Sequence, residues 1–435
     1  MYNSTEEIFE TISEKQNDIN HYNSIMNHNY DEIDKFVSDQ AKLRIKYKSK
    51  FTNLIENKFV IFPPNINCEQ SSSEATASYK SQIIKELNFD YTNNNTNNSQ
   101  SKNIKILVDG TCGFGTDSIA FANICDKVIG LDIDKNIIEI NNYNISINNN
   151  KNLSFENIDF EKYLDTLIND NTKIDLIYLD PSRRDSNGKK VFLIDELTPN
   201  IFTILDKLKI TTRYLMIKFS PLIDITYLIN SFDKIIQIDI IEYEKELKEI
   251  LITVDFELDV ELHEKLELEN DKTTNSPKVN LVSIKDINDY KVNSYILSPK
   301  ESKIKLDAKT FANIDKFQYL YEPSPSEMKF ANWDIFSDFS KISNNTHLFL
   351  LKEESALNYN YLGKYYKILE IGAINNKILK KLNINKANIK VRNSTVKVDD
   401  LYKKLKIKTG GEYYIFAFGN DNYKNKMIVS KKVED

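Results

Sequence analysis

The chain has 435 residues, 41% of them hydrophobic and 28% charged, and a net charge of −6. This length is too great for one compact core and calls for two to four domains, and the composition argues against wholesale disorder. Every Ile/Leu-rich run is broken by Lys, Asn or Asp well short of the ~20 apolar residues a spanning helix needs, so no membrane segment is expected. The N-terminus, MYNSTEEIFETISEKQ, has neither the basic nor the apolar part of a signal peptide. Three cysteines, Cys68, Cys112 and Cys125, cannot build a disulfide framework. A reduced, cytoplasmic protein is therefore expected.

Only five of the 58 basic residues are arginine: Arg44, Arg183, Arg184, Arg213 and Arg392. In a chain so rich in Lys, Asn and Ile, arginine should persist where a planar fork or a stacking face is needed. The negative net charge offers no general attraction to nucleic acid, so any such binding must be local.

Residues 1 to about 90 read as helical, with apolar residues at helical spacing over Glu6–Ile12 and Ile33–Leu43. Residues 92–103 are a low-complexity polar tract, read as a solvated loop. From Ile104 short β-rich runs alternate with amphipathic helices, the pattern of a parallel α/β sheet. The runs are Ile104–Val108, Lys127–Leu131, Leu153–Glu156, Ile174–Leu179, Tyr214–Phe219, Lys234–Ile241 and Glu249–Phe256. A polar stretch, Glu267–Pro277, reads as a linker. A small α/β segment follows to about Pro323, and a last unit starts near Lys329.

The first run leads into Asp109-Gly110-Thr111-Cys112-Gly113-Phe114-Gly115. Glycines between a strand and a helix let the backbone turn sharply and approach a ligand closely. A dinucleotide fold would place a third glycine where Ser118 stands. Asp109 ahead of Gly113 and Gly115 fits an S-adenosylmethionine (SAM) loop better, with the acid facing the ammonium of the methionine half. Asp132 ends the second run, where a carboxylate accepts both ribose hydroxyls. Asp159 and Phe160 follow the third, positions for the adenine amino group and the adenine face. Each acid alone is equally an ordinary strand-end residue; three in register favour the cofactor.

The fourth run ends Asp180-Pro181-Ser182-Arg183-Arg184. Here the chain resembles the class I SAM-dependent methyltransferases, and within them a Bacteroidota-type bacterial family with a THUMP-like C-terminal domain. Glu69-Gln70-Ser71-Ser72-Ser73-Glu74-Ala75-Thr76-Ala77, Lys218-Phe219-Ser220-Pro221-Leu222-Ile223-Asp224 and Tyr319-Leu320-Tyr321-Glu322-Pro323 carry the same resemblance. It implies a Rossmann-like α/β fold with a seven-stranded sheet over 96–266, after an N-terminal helical region (1–95). A small ferredoxin-like α/β segment (278–323) and a THUMP-like α/β domain (324–435) would follow.

In amino-methylating members of the superfamily this strand end reads Asp/Asn-Pro-Pro-aromatic and holds the target nitrogen, so Asp180, Pro181, Ser182 and Arg183 are catalytic candidates. Ser182 stands in place of the second proline and Arg183 in place of the aromatic. A guanidinium there stacks on a base or clamps a phosphate; the alternative is a structural network of Arg183 and Arg184 with Asp185, Asp195 or Glu196. Lys218, at the end of the fifth run, either holds the substrate or is a snorkelling lysine. Pyrimidine C5 chemistry would need a cysteine after the fourth or sixth strand, and none stands there. Ser72 or Ser73 should cap a helix, and the resemblance places Ser73 and Glu74 beside the methionine end of the cofactor. The four histidines, His21, His28, His263 and His347, are scattered, and no metal is expected.

Between Lys377 and Lys408 eleven basic residues face two acids, Asp399 and Asp400. Such a block supplies a phosphate-binding face or a merely solvated one. With Arg184, residues Lys390, Arg392 and Lys397 are the RNA-binding candidates. The expected activity is SAM-dependent methylation of a base nitrogen in structured RNA, tRNA or rRNA. Two alternatives stay open: a small-molecule or protein methyltransferase, and an RNA-binding module with a vestigial SAM fold.

Overall fold

The computed structural model describes residues 10, 32–94, 104–148, 150–182, 196–258, 276–297, 316–343, 346–353, 357, 360–394, 396–420 and 423–433. The chain divides into two units. The first comprises residues 1–244, 248–278 and 284–290; the second comprises 245–247, 279–283 and 291–435.

The first unit opens with helices α1 (Glu32–Lys46), α2 (Thr52–Glu56), α3 (Asn65–Gln70) and α4 (Glu74–Asn94). Their apolar faces are short, and they find cover against the sheet domain. Phe51 and Phe62 close on Phe114 of the glycine loop at ring distances of 5.5 Å, in one cluster with Leu43, Tyr47, Val60 and Cys68. Arg44 ties this region together. Its buried guanidinium donates to the carbonyls of Ile55, Asn57, Lys58 and Val60 and lies 5.3 Å over the Phe62 ring. Arg44→Leu would leave buried carbonyls without donors, and a loss of about 3 kcal/mol in unfolding free energy is expected by denaturant titration. A loss under 1 kcal/mol would contradict this reading of Arg44.

All seven runs of the sheet region form strands: β1 (Ile106–Asp109), β2 (Lys127–Asp132), β3 (Leu153–Asn157), β4 (Ile174–Leu179), β5 (Thr212–Phe219), β6 (Ile235–Tyr243) and β7 (Glu246–Asp255). Between them lie α5 (Thr116–Ala122), α6 (Lys135–Asn148), α7 (Phe160–Asn169), α8 (Ile201–Thr211) and α9 (Ile225–Ser231). The strand order is β3-β2-β1-β4-β5-β7-β6. Strands β1 to β5 pair in parallel and β7 runs antiparallel to β5. Near-continuous burial along β4 and β5 explains why they read as unbroken apolar runs rather than alternating ones. The order reverses between β1 and β4, the switch point outside whose carboxyl ends such sheets bind ligands.

The sheet order continues through β8 (Lys278–Asp286) and β9 (Asp289–Ile296), whose residues are divided between the two units. Here the structure differs from expectation. The described part of 278–323 does not close a ferredoxin-like fold of its own: β8 and β9 extend one sheet, and β10 (Tyr319–Glu322) belongs to another. The reason is burial, since Val279, Leu281 and Val282 are fully buried and a two-stranded hairpin alone cannot cover them. Residues 298–315 lie outside the described residues.

The second unit holds α10 (Pro325–Phe330), β11 (Ser340–Ser343), β12 (Thr346–Leu351), β13 (Lys364–Ala373), α11 (Asn376–Lys381), β14 (Asn388–Arg392), α12 (Val398–Leu405), β15 (Tyr413–Asn420) and β16 (Tyr423–Lys432). The order is β11-β12-β10-β13-β16-β15-β14, with β14 and β15 parallel around α12. Alternation along β15 sends Ile415 and Ala417 to the layer containing Leu379, Leu401 and Leu405, and Phe416 and Phe418 to the opposite face. Tyr413 and Tyr414 pack at the edges of these two layers as partly buried core residues.

Candidate active site

Glycine geometry shapes the first half of the site. Gly113 (φ +50°) and Gly115 (φ +77°) take left-handed backbone that side chains resist. A Cβ on Gly115 would stand 2.6 Å from the Phe155 ring, whereas one on Gly113 would meet nothing within 4 Å. Gly115 is thus demanded by packing, and Gly113 leaves the loop open to a ligand. Asp132 links this loop to β2: its carboxylate accepts from the Gly113 amide (3.0 Å) and the Asp134 amide (2.8 Å). The next residue, Ile133, is 70% exposed, an apolar side chain presented beside the acid. Asp109 is buried and accepts from Ser118 Oγ at 2.5 Å and from the Thr111 amide at 3.3 Å. Burial, with Asp117 and Asp180 nearby, pushes its carboxyl up to about 7 against the pull of the Ser118 and Thr111 donors.

The second half is built at the ends of β4 and β5. The Asp180 amide donates to Thr111 Oγ1 (2.6 Å), and Ser182 is held to Thr198 by two backbone bonds. Asp180 Oδ2 meets Lys218 Nζ at 2.5 Å. Lys218 also donates to Ser72 Oγ (3.2 Å) and lies 3.9 Å from Glu249. Burial pulls the Lys218 ammonium down, but the Asp180, Glu249 and Asp117 carboxylates outweigh it and hold its pKa above the ordinary lysine range.

Behind this pair lies a cluster that sequence reasoning missed. Lys80 of α4 is fully buried. It contacts Asp117 (2.9 Å), Glu249 (3.2 Å), Ser72 Oγ (2.8 Å) and Tyr178 OH (3.4 Å). Asp117 also accepts from Ser72 Oγ (2.7 Å) and Tyr178 OH (2.9 Å). Burial alone would raise the Asp117 pKa, but Lys80, Lys218 and these donors hold it below the usual carboxylate value. The one sequence signal was Asp117 directly after the glycine loop.

Comparison with known proteins agrees with the architecture. A family model described as RNA cap guanine-N2 methyltransferase matches residues 104–190, and one described as THUMP domain-like matches 363–432. The crystal structure of a protein of Porphyromonas gingivalis W83, assigned as a methyltransferase, superposes with a TM-score of 0.74 at 21% identity, covering 100% of both chains. The fold and these two family models agree on a methyltransferase-like sheet domain followed by a THUMP-like domain. An uncharacterised RNA methyltransferase of Prochlorococcus marinus is 36% identical over 101 residues. That match spans 23% of each chain.

Within the first unit, several of the expected contact residues are already engaged by the protein itself. Ser73 caps α4, its hydroxyl accepting from the Thr76 amide at 3.1 Å. Glu74 is turned away from a cofactor role. Its carboxylate accepts from Thr52 Oγ1, the Asn53 amide and the Leu54 amide (2.7–2.9 Å), capping α2. Phe160 is a core residue; its ring fills the space a Cβ on Gly110 would occupy, 2.5 Å away. Asp159 caps α7 through the Lys162 amide (3.2 Å), so at most its second oxygen serves adenine. Arg183 and Arg184 lie outside the described residues, while Pro181 and Ser182 sit where the sequence placed them. Burial pushes the Cys68 and Cys125 thiols up to about 12 and Cys112 well above its ordinary value. Among the described residues no group of His, Cys, Asp and Glu is placed to hold a metal ion, and no helix is long and apolar enough to cross a membrane.

In the THUMP-like region Lys390 and Arg392 both pair with Glu322, Arg392 at 2.6 Å, and Tyr366 OH donates to the same carboxylate at 2.9 Å. Lys390 further lies 5.5–5.6 Å over the Tyr366, Tyr414 and Phe416 rings. These two residues thus act first as internal partners of a buried acid. Lys397 is exposed at the start of α12.

Proposed function

We propose that this protein transfers a methyl group from SAM to an amino nitrogen of a base in structured RNA, in the cytoplasm, with the basic THUMP-like region docking tRNA or rRNA. The observation that carries this reading is the Asp180–Lys218 pair at the switch-point edge. Lys218 occupies Oδ2, and among the described residues Oδ1 has no donor, so it is placed to accept an N–H from the target amine. That bond orients the nitrogen lone pair, and orientation is worth up to ~7–11 kcal/mol of such a barrier. The family model for guanine-N2 transfer over 104–190 supports an exocyclic amine.

The residues present fit the cofactor. The open backbone at Gly113 and the Asp132 carboxylate would hold the loop side and the ribose, Ile133 would cover the adenine, and Asp109 would face the ammonium. When bound, SAM supplies the electrophilic methyl group. Asp180 accepts the proton that the methylated nitrogen sheds, and Lys218 keeps the carboxylate in place. The test is incubation of the protein with tritiated SAM and total RNA from cells lacking it, followed by nucleoside mass spectrometry. A methylated base at an exocyclic nitrogen is expected. Label in protein or small molecules and none in RNA would overturn the proposal.

The position of Asp109 adds a pH dependence. Below about 7 its carboxyl is protonated, and only the carboxylate attracts an ammonium. The facing groups are the Ser118 and Thr111 donors and the Asp117 and Asp180 carboxylates. S-adenosylhomocysteine, which keeps that ammonium, should therefore bind about tenfold more weakly at pH 6 than at pH 7.5, with about one proton released on binding at pH 6 and only a minor fraction of one at pH 7.5. Calorimetry in two buffers of different ionisation heat measures both, and Asp109→Asn should flatten the profile. Affinity constant between pH 6 and pH 8 in the unaltered protein would remove Asp109 from the cofactor site.

A further inference from the structure

Two lysines and three carboxylates form one contiguous group, buried at Lys80, Asp117 and Glu249 and reaching the surface through Lys218 and the half-buried Asp180. Ser72 is the joint between the lysines. Its oxygen accepts from both ammonium groups, at 2.8 Å from Lys80 and 3.2 Å from Lys218, and its hydroxyl proton goes to Asp117. Asp117 has donors on both oxygens: Lys80 on Oδ1, Ser72 and Tyr178 on Oδ2. Lys50 adds a further cation facing Lys218, but its ammonium is directed to the carbonyls of Cys68 and Glu69, at 2.8 Å each. With Lys80 in place, Asp117 and Glu249 have their own cation, and Lys218 is left to Asp180.

We infer that Lys80 is a positioning residue for methyl transfer: by hydrogen-bonding Asp117 and neutralising the nearby Glu249 it keeps Lys218 on Asp180 and so holds the acceptor carboxylate in one orientation. The inference rests on the proposed role of Asp180. If Lys80 is removed, two buried carboxylates compete for Lys218, because an ion without a partner in the interior is strongly unfavourable. Lys218 is then drawn inward and Asp180 turns free. Removing one of those carboxylates as well, with Lys80→Met and Glu249→Gln together, restores the balance and returns Lys218 to Asp180.

The test has two arms on the full chain. In the first, without RNA, melting temperatures are measured for Lys80→Met, Asp180→Asn and the double variant. Contacting networks give non-additive effects and independent sites give additive ones. The expected result is that Asp180→Asn changes the melting temperature less in the Lys80→Met background than in the unaltered protein. If Lys80→Met fails to fold, the same comparison is made with Lys80→Gln, which leaves a neutral donor in the cavity and both carboxylates without their cation. Additive shifts in whichever of these variants folds would overturn the inference. In the second arm, methyl transfer from tritiated SAM to total RNA is followed. Lys80→Met should lower kcat about 100-fold, the scale of an ångström of misplacement, with KM for SAM within twofold, and Glu249→Gln should recover at least tenfold of it. Unchanged kcat in a folded Lys80→Met protein would also overturn it. If the unaltered protein labels no RNA, the RNA reading fails while the first arm still decides whether Lys80 holds the Lys218–Asp180 pair.

Discussion

Replacing Asp180 by alanine should lower the rate of methyl transfer about 1000-fold while S-adenosylhomocysteine affinity changes less than threefold. Orientation and proton acceptance by one positioned group contribute roughly 10²–10⁴-fold, and the proposed function gives Asp180 both tasks. Alanine removes the acceptor and releases Lys218, which retains Glu249 and Ser72 as partners. Asparagine keeps an acceptor oxygen of the same shape but loses the charge that Lys218 grips at 2.5 Å, so a loss of about 10- to 100-fold is expected. Single-turnover labelling with tritiated SAM separates these cases, because product release does not enter. A rate within tenfold of the unaltered protein for the alanine variant would show that the target nitrogen is held elsewhere.

Asp132→Ala should weaken S-adenosylhomocysteine binding by about 10²- to 10⁴-fold. Two hydrogen bonds from ribose hydroxyls to a carboxylate, at ~1.5–3 kcal/mol each, set that range. There is a second contribution within the protein. The same carboxylate fixes the Gly113 and Asp134 amides, so its removal also loosens the loop that would take the methionine half. Calorimetric titration reads the affinity, and a melting curve in the absence of ligand reads the loosening. A loss below fivefold would place the ribose away from β2.

These two acids were legible because they sit at strand ends, and strand ends follow from local pattern. The seven apolar runs, the glycine loop after the first and the Asp-Pro turn after the fourth are all short-range features, and each maps onto β1–β7 or the turns between them. The C-terminal elements are equally local in origin: in α12 the buried Leu401 and Leu405 stand four residues apart, one helical turn. The arginine argument can be followed at three of the five positions, since Arg183 and Arg184 lie outside the described residues. Arg44 forks onto four carbonyls, Arg213 grips Asp255 through Nε and Nη2 while lying 4.5 Å over Tyr214, and Arg392 meets Glu322. Arg44 and Arg213 use the planar fork that lysine lacks, whereas the partly exposed Arg392 divides its donors between Glu322 and the Val391 carbonyl. Phe160 and Glu74 were misread for a related reason. An aromatic after a strand reads alike whether it faces a ligand or fills the gap over Gly110, and a glutamate at a helix start does not reveal that it caps a different helix.

What the sequence determined by itself was the order of elements, the sheet they form and the acids at its carboxyl edge. Periodicity, glycine conformational freedom and strand-end position are properties of a few neighbouring residues. Only the tertiary structure decided which charges meet. Lys80 and Asp117 are 37 residues apart, Lys218 and Ser72 are 146 apart, and Arg392 and Glu322 are 70 apart. No spacing rule links such pairs. An ammonium can be buried at all only when folding brings carboxylates to it from other elements, so the partner of a buried charge is written in the packing of α4 against the sheet and not in the residues that flank Lys80.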